Sequence, residues 1–326
     1  MAAPRRAALT AADFAILGSG GPAVAEPEFA ADLAAGLKGK LLVAEPMSRH
    51  TTFRIGGPAD YLVLPHDLED IRLLVRRCRQ AGVPVKCVGN GSNLLVSDRG
   101  FRGAIVKLTP RFNAIHFNDQ GVVVGAGAKL AALVEAAAQQ GWSGLESTVG
   151  IPGTLGGAIV TNAGTDTGSL GDLVTEALLL DEQGNEVRLG EKQLAYGYRS
   201  SALAGTRLVV LSARLALRRA ATAEVRVKMD RLWGKRSSRQ PLGCRTAGST
   251  FKNPPDIAAG KLLDRAGAKG QSIGGAAVST KHANFMVNRG RATAAQMWAL
   301  MEWMRELVYA TYGIWLESEI ELVGEW

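Results

Sequence analysis

Ser249 stands in "RTAGSTFKNP" (245–254), delivered by a small-residue turn of Ala247 and Gly248 and followed at once by Lys252 and Asn253. No histidine lies in this segment, so nothing there would activate the hydroxyl as a nucleophile in the manner of a triad. A second polar island, "YGYRSS" (196–201), sets Tyr198 and Arg199 in an otherwise apolar neighbourhood. A guanidinium is a natural fork for a carboxylate, and it is equally at home on a surface. "KHANFMVN" (281–288) holds His282, one of four histidines, beside Asn284. No second histidine or cysteine is spaced to complete a metal site there. Near the end, "LESEIEL" puts Glu317, Glu319 and Glu321 on one face of a strand and Leu316, Ser318, Ile320 and Leu322 on the other. A solvated edge has the same pattern.

Two glycine-rich segments suggest close approach to a ligand. "GNGSNLL" (89–95) lacks the third glycine of a dinucleotide fingerprint, because Leu94 stands there. "GAGAKL" (125–130) fails in the same way, with Leu130 in that place. What remains of the first is Gly89, Asn90, Gly91, Ser92 and Asn93: exposed amides and short polar side chains. Such a loop can form an anion nest for a pyrophosphate, or a polar turn between strands. "GIPGTLGGAIVTNAG" (150–164) packs four glycines and a proline into its first eight residues. That density reads as a loop lying close to something flat or anionic, and neither as a helix nor as a regular strand. Two such loops in adjacent lobes suggest a large cofactor between them.

The elements that must hold these loops follow from periodicity. Residues 28–37 read as a short amphipathic helix, 61–65 as a strand stopped by proline, and 68–82 as a helix ending at glycine. Short strands at "VPVKCVG" and "AIVKL" bracket the first glycine loop. A second lobe has a strand at 121–128, an alanine-rich helix at 129–141, a hairpin over 174–190 turning at Gln183-Gly184, and a strand at 206–218. The composition shifts near residue 220. A basic helix, a glycine-ended helix at 258–267, a long helix at 295–313 and a closing strand at 314–323 follow.

The 326 residues carry 47% hydrophobic and 21% charged side chains, enough for a substantial core. A net charge of +8 suits phosphate-bearing partners. The cations are scattered without aromatic interleaving, which makes nucleic acid the weaker reading. Three cysteines, Cys78, Cys87 and Cys244, show no metal or disulfide spacing, and a reducing, cytoplasmic setting is the default. No stretch is long enough to span a membrane. Residues 1–26 read as a poorly ordered extension without a signal-peptide core.

In order, "HTTFRIGGPADYLV", "GNGSNLLVSDRGFRGAIVKL", "GIPGTLGGAIVTNAG", "YGYRSS", "AGSTFKNP", "KLLDRAGAKGQSIGGAAVSTKHANFMVN" and "WLESEIELVG" resemble the UDP-N-acetylenolpyruvoylglucosamine reductase family (MurB) of peptidoglycan precursor synthesis. The resemblance covers roughly residues 44 to 324, and the absence of a long insertion in the last part suits the shorter, type II-like form. It implies an α+β protein: a two-lobed FAD-binding module of the vanillyl-alcohol oxidase / PCMH type (27–106 and 107–219) plus a C-terminal α/β substrate domain (220–326). It also implies NADPH as co-substrate and a UDP-sugar as substrate; neither nucleic acid nor membrane is expected as a partner, and the oligomeric state stays open with a monomer favoured. FAD is expected to be non-covalent and held by Arg54, Gly89, Asn90, Gly91, Ser92, Asn93, Leu94, Ile151, Pro152, Gly153, Gly156, Gly157 and Ala158. Ser249 maps to the family's proton donor, Arg199 to its carboxylate-binding arginine, and Glu319 to a glutamate supporting the same charge. Tyr198, Lys252, Asn253, His282 and Asn284 are expected to hold substrate, and no metal is expected. Arg245-Thr246 and Ser318 depart from the Pro-Ser and proline that the family often has at those places.

Overall fold

A computed structural model describes residues 26–326; the extension expected over 1–26 lies, but for Glu26, outside the described residues. Three packed cores follow one another along the chain.

The first is built on a four-stranded sheet in the order 40–46, 58–64, 101–107, 85–88. Its first pair is antiparallel and the rest are parallel. Side chains alternate across it, as a two-residue period demands. Tyr61, Val63, Ala104 and Val106 face α1 (Pro27–Gly36) and α2 (Leu68–Gln80), whereas Leu62 and Ile105 face an opposite layer that includes Val96 and Val323. Burial on both faces explains why these strands read as unbroken apolar runs. Asp67 caps α2 by accepting from the Glu69 and Asp70 amides.

The second core is a five-stranded antiparallel sheet ordered 186–190, 174–180, 209–216, 121–125, 115–118, so the expected hairpin is present. One face is covered by α3 (Leu130–Gln139) and α4 (Leu155–Thr161). A one-turn helix, α5 (Glu191–Leu194), follows the hairpin. The other face meets α2, whose Ile71 and Val75 pack on Leu180, Val209 and Leu211. Helix α2 is thus shared: Leu74 and Cys78 serve the first sheet, and Ile71 and Val75 the second. The basic helix α6 (Thr222–Arg239) begins the C-terminal part of the chain, yet its Val225 and Met229 enter this second core.

The third core gathers α7 (Ala259–Arg265), α8 (Ala294–Tyr312) and a small sheet of 272–273, 276–278 and 286–288. Met297, Leu300, Met301, Met304 and Val308 make the buried stripe of α8, with Thr293 and Gln296 as a capping box and Gly313 in the left-handed conformation at its end. Phe53 and Ile55 from the start of the chain insert here.

Two sequence expectations are corrected. The second glycine segment holds a seven-residue helix, α4, with Gly156 and Gly157 inside it. Burial of Leu155, Ala158 and Ile159 in the second core overrides the poor intrinsic propensity of glycine. The closing strand pairs only over Glu321–Val323, parallel to Leu94–Val96. Leu316 and Ile320 are buried as alternation requires, but that stretch runs beside residues 249–252 without a regular ladder.

Asp70 gives the first lobe a testable weak point. It is 2% exposed, and its carboxylate accepts from the amides of Lys38, Gly39 and His66 at 2.9, 2.8 and 2.7 Å. Asp70→Ala leaves three donors unpaired and should cost about 2–3 kcal/mol. A urea unfolding midpoint shared with wild type would contradict this.

Candidate active site

The three cores enclose a cavity of about 780 Å³ walled by both glycine loops. In the first, Gly91 has φ +62°, and a Cβ there would stand 2.2 Å from the His50 carbonyl oxygen. Gly89 lies so close to the second loop that a Cβ would meet Thr154 Oγ1 at 2.2 Å. Ser92 Oγ donates to the Pro152 carbonyl at 3.0 Å, tying the loops together. The second loop is pinned from below: the amides of Leu155 and Gly156 donate to the Ala128 and Ala126 carbonyls, both at 2.9 Å. A Cβ at Gly157 would find no protein atom closer than 4.0 Å, so the backbone there is bare towards the cavity.

Ser249, Arg199 and Glu319 line this same cavity, with Asn253 and His282. Arg199 lies in the left-handed region, φ +52°. Its Nη2 donates to the Gly164 carbonyl at 2.8 Å, and its Nε stands 2.7 Å from Glu319 Oε1. The latter is a close ion pair without the alignment of a good hydrogen bond. Burial pushes the Glu319 carboxyl above its ordinary range, and Arg199 opposes that rise. The Arg199 loop is itself held by Asn162, the left-handed cap of α4. Its Nδ2 donates to the Gly197 carbonyl and its Oδ1 accepts from the Gly171 amide, each at 2.8 Å. Glu319 is held from the first glycine loop, because Asn93 Nδ2 donates to its carbonyl at 2.9 Å. Burial lowers the His282 pKa. Its Nδ1 accepts from the Asn284 amide at 3.2 Å, which leaves the proton of the neutral ring on Nε2.

All the glycine-loop residues expected at the cofactor, from Gly89 to Leu94 and from Ile151 to Ala158 as named above, border the cavity. Four expected residues do not. Arg54 is exposed on a left-handed turn, its Nη1 on the Arg49 carbonyl at 3.3 Å. Tyr198 is 57% exposed, and its hydroxyl accepts from the Asn253 amide at 3.2 Å. Lys252 pairs with Glu317 at 2.5 Å. Asn284 is buried behind the wall.

Sequence reasoning missed Lys235, Arg236 and Arg239, which bring one face of α6 to the cavity. Their i, i+1, i+4 spacing was the available signal, but nothing in it said which way the face turned. Arg236 donates through Nε to Gln240 at 2.9 Å; burial, with a contribution from Arg199, lowers its pKa to about 10.

Whether these walls suit a flavin dinucleotide can be judged from their chemistry. Bare backbone at Gly157, amide-rich loops without a carboxylate, and apolar Val149, Ile151 and Val210 offer surfaces for a pyrophosphate and a flat ring. The residues fit.

Residues 59–190 match an FAD binding domain, and residues 240–323 match the UDP-N-acetylenolpyruvoylglucosamine reductase C-terminal domain. The UDP-N-acetylenolpyruvoylglucosamine reductase of Moorella thermoacetica is 44% identical over 91% of this chain and 97% of its own length. The chain belongs to the UDP-N-acetylenolpyruvoylglucosamine reductase family. The Heliobacterium modesticaldum member is 42% identical over 88% of this chain and 92% of its own. The solved Thermus caldophilus reductase superposes with a TM-score of 0.76 at 33% identity, covering 88% of this chain and 99% of that one. These reductases and the FAD-domain match make the chain an FAD-containing oxidoreductase of the α+β class.

Gly91 tests the cofactor wall. Gly91→Ala puts a methyl into the His50 carbonyl, so the loop must shift. The variant's affinity for FAD should fall at least about tenfold, which a loss of about 1.4 kcal/mol already gives, so dialysis at low protein concentration should strip flavin that wild type keeps. Full flavin content, read by visible absorbance per chain, would show that the loop does not hold the cofactor.

Proposed function

We propose that this chain reduces UDP-N-acetylglucosamine enolpyruvate to UDP-N-acetylmuramate with NADPH, using non-covalent FAD between the first two cores and substrate contacts from the third. The observation that carries this reading is that Ser249, Arg199 and Glu319 share one cavity with both glycine loops. FAD, held by the two glycine loops, would supply the hydride chemistry that links NADPH to the terminal enolpyruvyl carbon. Hydride addition there leaves negative charge on the carbon beside the carboxylate. Stabilising charge where it develops is the largest service a site can offer. Arg199 brings a fixed cation to that position, and its pairing with Glu319 keeps the guanidinium oriented. Glu319, with its raised pKa, can also donate a hydrogen bond when protonated.

Ser249 then gives the proton. A hydroxyl is a weak acid, yet it needs no histidine when the acceptor is a strongly basic carbon. Its Oγ hydrogen-bonds to none of the described residues, which leaves it available to a ligand. The cations of α6 suit the substrate or NADPH phosphates. Among the described residues no helix is long and apolar enough to cross a membrane. Cys78, Cys87 and Cys244 are free thiols, and we place the enzyme in the cytoplasm, where thiols stay reduced.

Non-covalent FAD predicts that acid precipitation releases all yellow colour into the supernatant; colour kept in the pellet would contradict it. Ser249→Ala separates the half-reactions. Flavin reduction by NADPH should stay near wild type, while reoxidation by the enolpyruvyl substrate slows by at least about 10²–10⁴-fold. Ser249→Cys should retain more than Ala, and Arg199→Lys should impair the same half-reaction through loss of the planar fork. Equal slowing of both half-reactions by Ser249→Ala would make the serine structural. Absence of substrate-dependent NADPH oxidation by flavin-loaded wild type would sink the whole reading.

A further inference from the structure

Asn284 is 3% exposed and does not border the cavity, yet it grips the chain immediately after Ser249. Its Oδ1 accepts from the Phe251 amide at 3.0 Å, and its Nδ2 donates to the Phe251 carbonyl at 2.8 Å. Its own carbonyl accepts from the Thr250 amide at 2.8 Å. One side chain therefore does for Phe251 what a neighbouring strand would do for a paired residue. On the opposite side the Glu319 amide donates to the Thr250 carbonyl, and the Lys252 amide to the Glu317 carbonyl, both at 2.9 Å. The Phe251 ring is 1% exposed, with the Arg305 guanidinium 5.7 Å from its centroid. With both polar backbone groups of Thr250 and of Phe251 engaged, the peptide that presents Ser249 cannot rotate without breaking a buried bond. Such a bond is costly to leave unmade.

We infer that Asn284 is a positioning residue: its carboxamide locks the Phe251 backbone and thereby sets where the Ser249 hydroxyl stands, without touching substrate. The inference rests on the reading above, in which Ser249 delivers the proton. Proton transfer needs the donor within about 2.6–3.2 Å of its target. A misplacement of about 1 Å can cost on the order of 10²-fold in rate.

Asn284→Asp tests this with an isosteric side chain. A protonated aspartic acid donates once and accepts once, so it can rebuild both bonds to Phe251. The ionised form cannot donate to the Phe251 carbonyl and sets a negative oxygen against it. Burial raises the pKa of a carboxyl in such a place above the ordinary value of about 3.9. The sign follows: the grip is present at low pH and lost as pH rises through the raised pKa.

In flavin-loaded full-length protein, stopped-flow reoxidation by the enolpyruvyl substrate should be about 10²-fold slow in Asn284→Asp at high pH. It should recover towards wild type as pH falls, relative to wild type at each pH. Asn284→Ala should stay slow at every pH. Substrate affinity and flavin reduction by NADPH should remain within a small factor of wild type in both variants. Hydrogen exchange of residues 250–251 should quicken in Asn284→Ala and in ionised Asn284→Asp alone. A pH-flat Asn284→Asp, a defect confined to substrate affinity, equal loss in both half-reactions, or loss of flavin at every pH would each overturn the inference. Wild type that fails to pass electrons to the substrate overturns the reductase reading instead, and the inference falls with it.

Discussion

Close contact between the two glycine loops, the Gly89 backbone against the Thr154 side chain, is the constraint on which the site depends. Gly89 abuts Thr154, and Ser92 bonds to the Pro152 carbonyl, so neither loop can move without the other. Side chains at Gly89 or Gly91 would force the loops apart or off their supports. Because the loops belong to different sheets, this contact also fixes how the first two cores meet. Helix α2 reinforces the arrangement by burying one face against each sheet. The outcome is a cavity whose wall includes the bare main chain of both glycine loops, which suits a ligand rich in phosphate and flat aromatic surface.

The charged groups of the site are held by backbone contacts made from neighbouring elements. Asn162, at the end of the second glycine segment, pins Gly197 and so the Arg199 turn. Asn93, in the first glycine loop, pins the Glu319 carbonyl. Thr52 Oγ1 donates to the Thr246 carbonyl at 2.7 Å, tying the start of the chain to the approach to Ser249. Short amides and hydroxyls do this work well because they lose little rotamer freedom and satisfy buried peptide groups directly. The same elements that wall the cavity therefore aim the side chains that face it.

A partly buried cation and a partly buried carboxylate at 2.7 Å also set the electrostatics. Desolvation disfavours the Glu319 charge, and Arg199 partly restores it. A second guanidinium, Arg236, bears on Arg199 and keeps the cavity electropositive without a matching acid of its own among the described ion pairs. An anionic ligand would complete that balance.

Periodicity and turn chemistry alone marked the helices read at 68–82, 129–141 and 295–313, found within two residues of those bounds, and the hairpin at 174–190, because their signals are local. The glycine spacing likewise marked both loops, and the ordered motifs brought Ser249, Arg199 and Glu319 to notice. Tertiary structure decided the rest. Helix α4 forms against glycine's propensity because its apolar face has a core to enter. The closing strand is mostly unpaired because its neighbours, residues 249–252, leave it only alternate contacts. Asn284 is a clamp and not a cavity residue because Phe251, 33 positions away in sequence, lies within reach of both its amide atoms. The orientation of α6, and with it the place of Arg236, comes from Val225 and Met229 seeking the second core. Local sequence carries propensity and pattern; which distant peptide a polar side chain will satisfy exists only once the chain has folded.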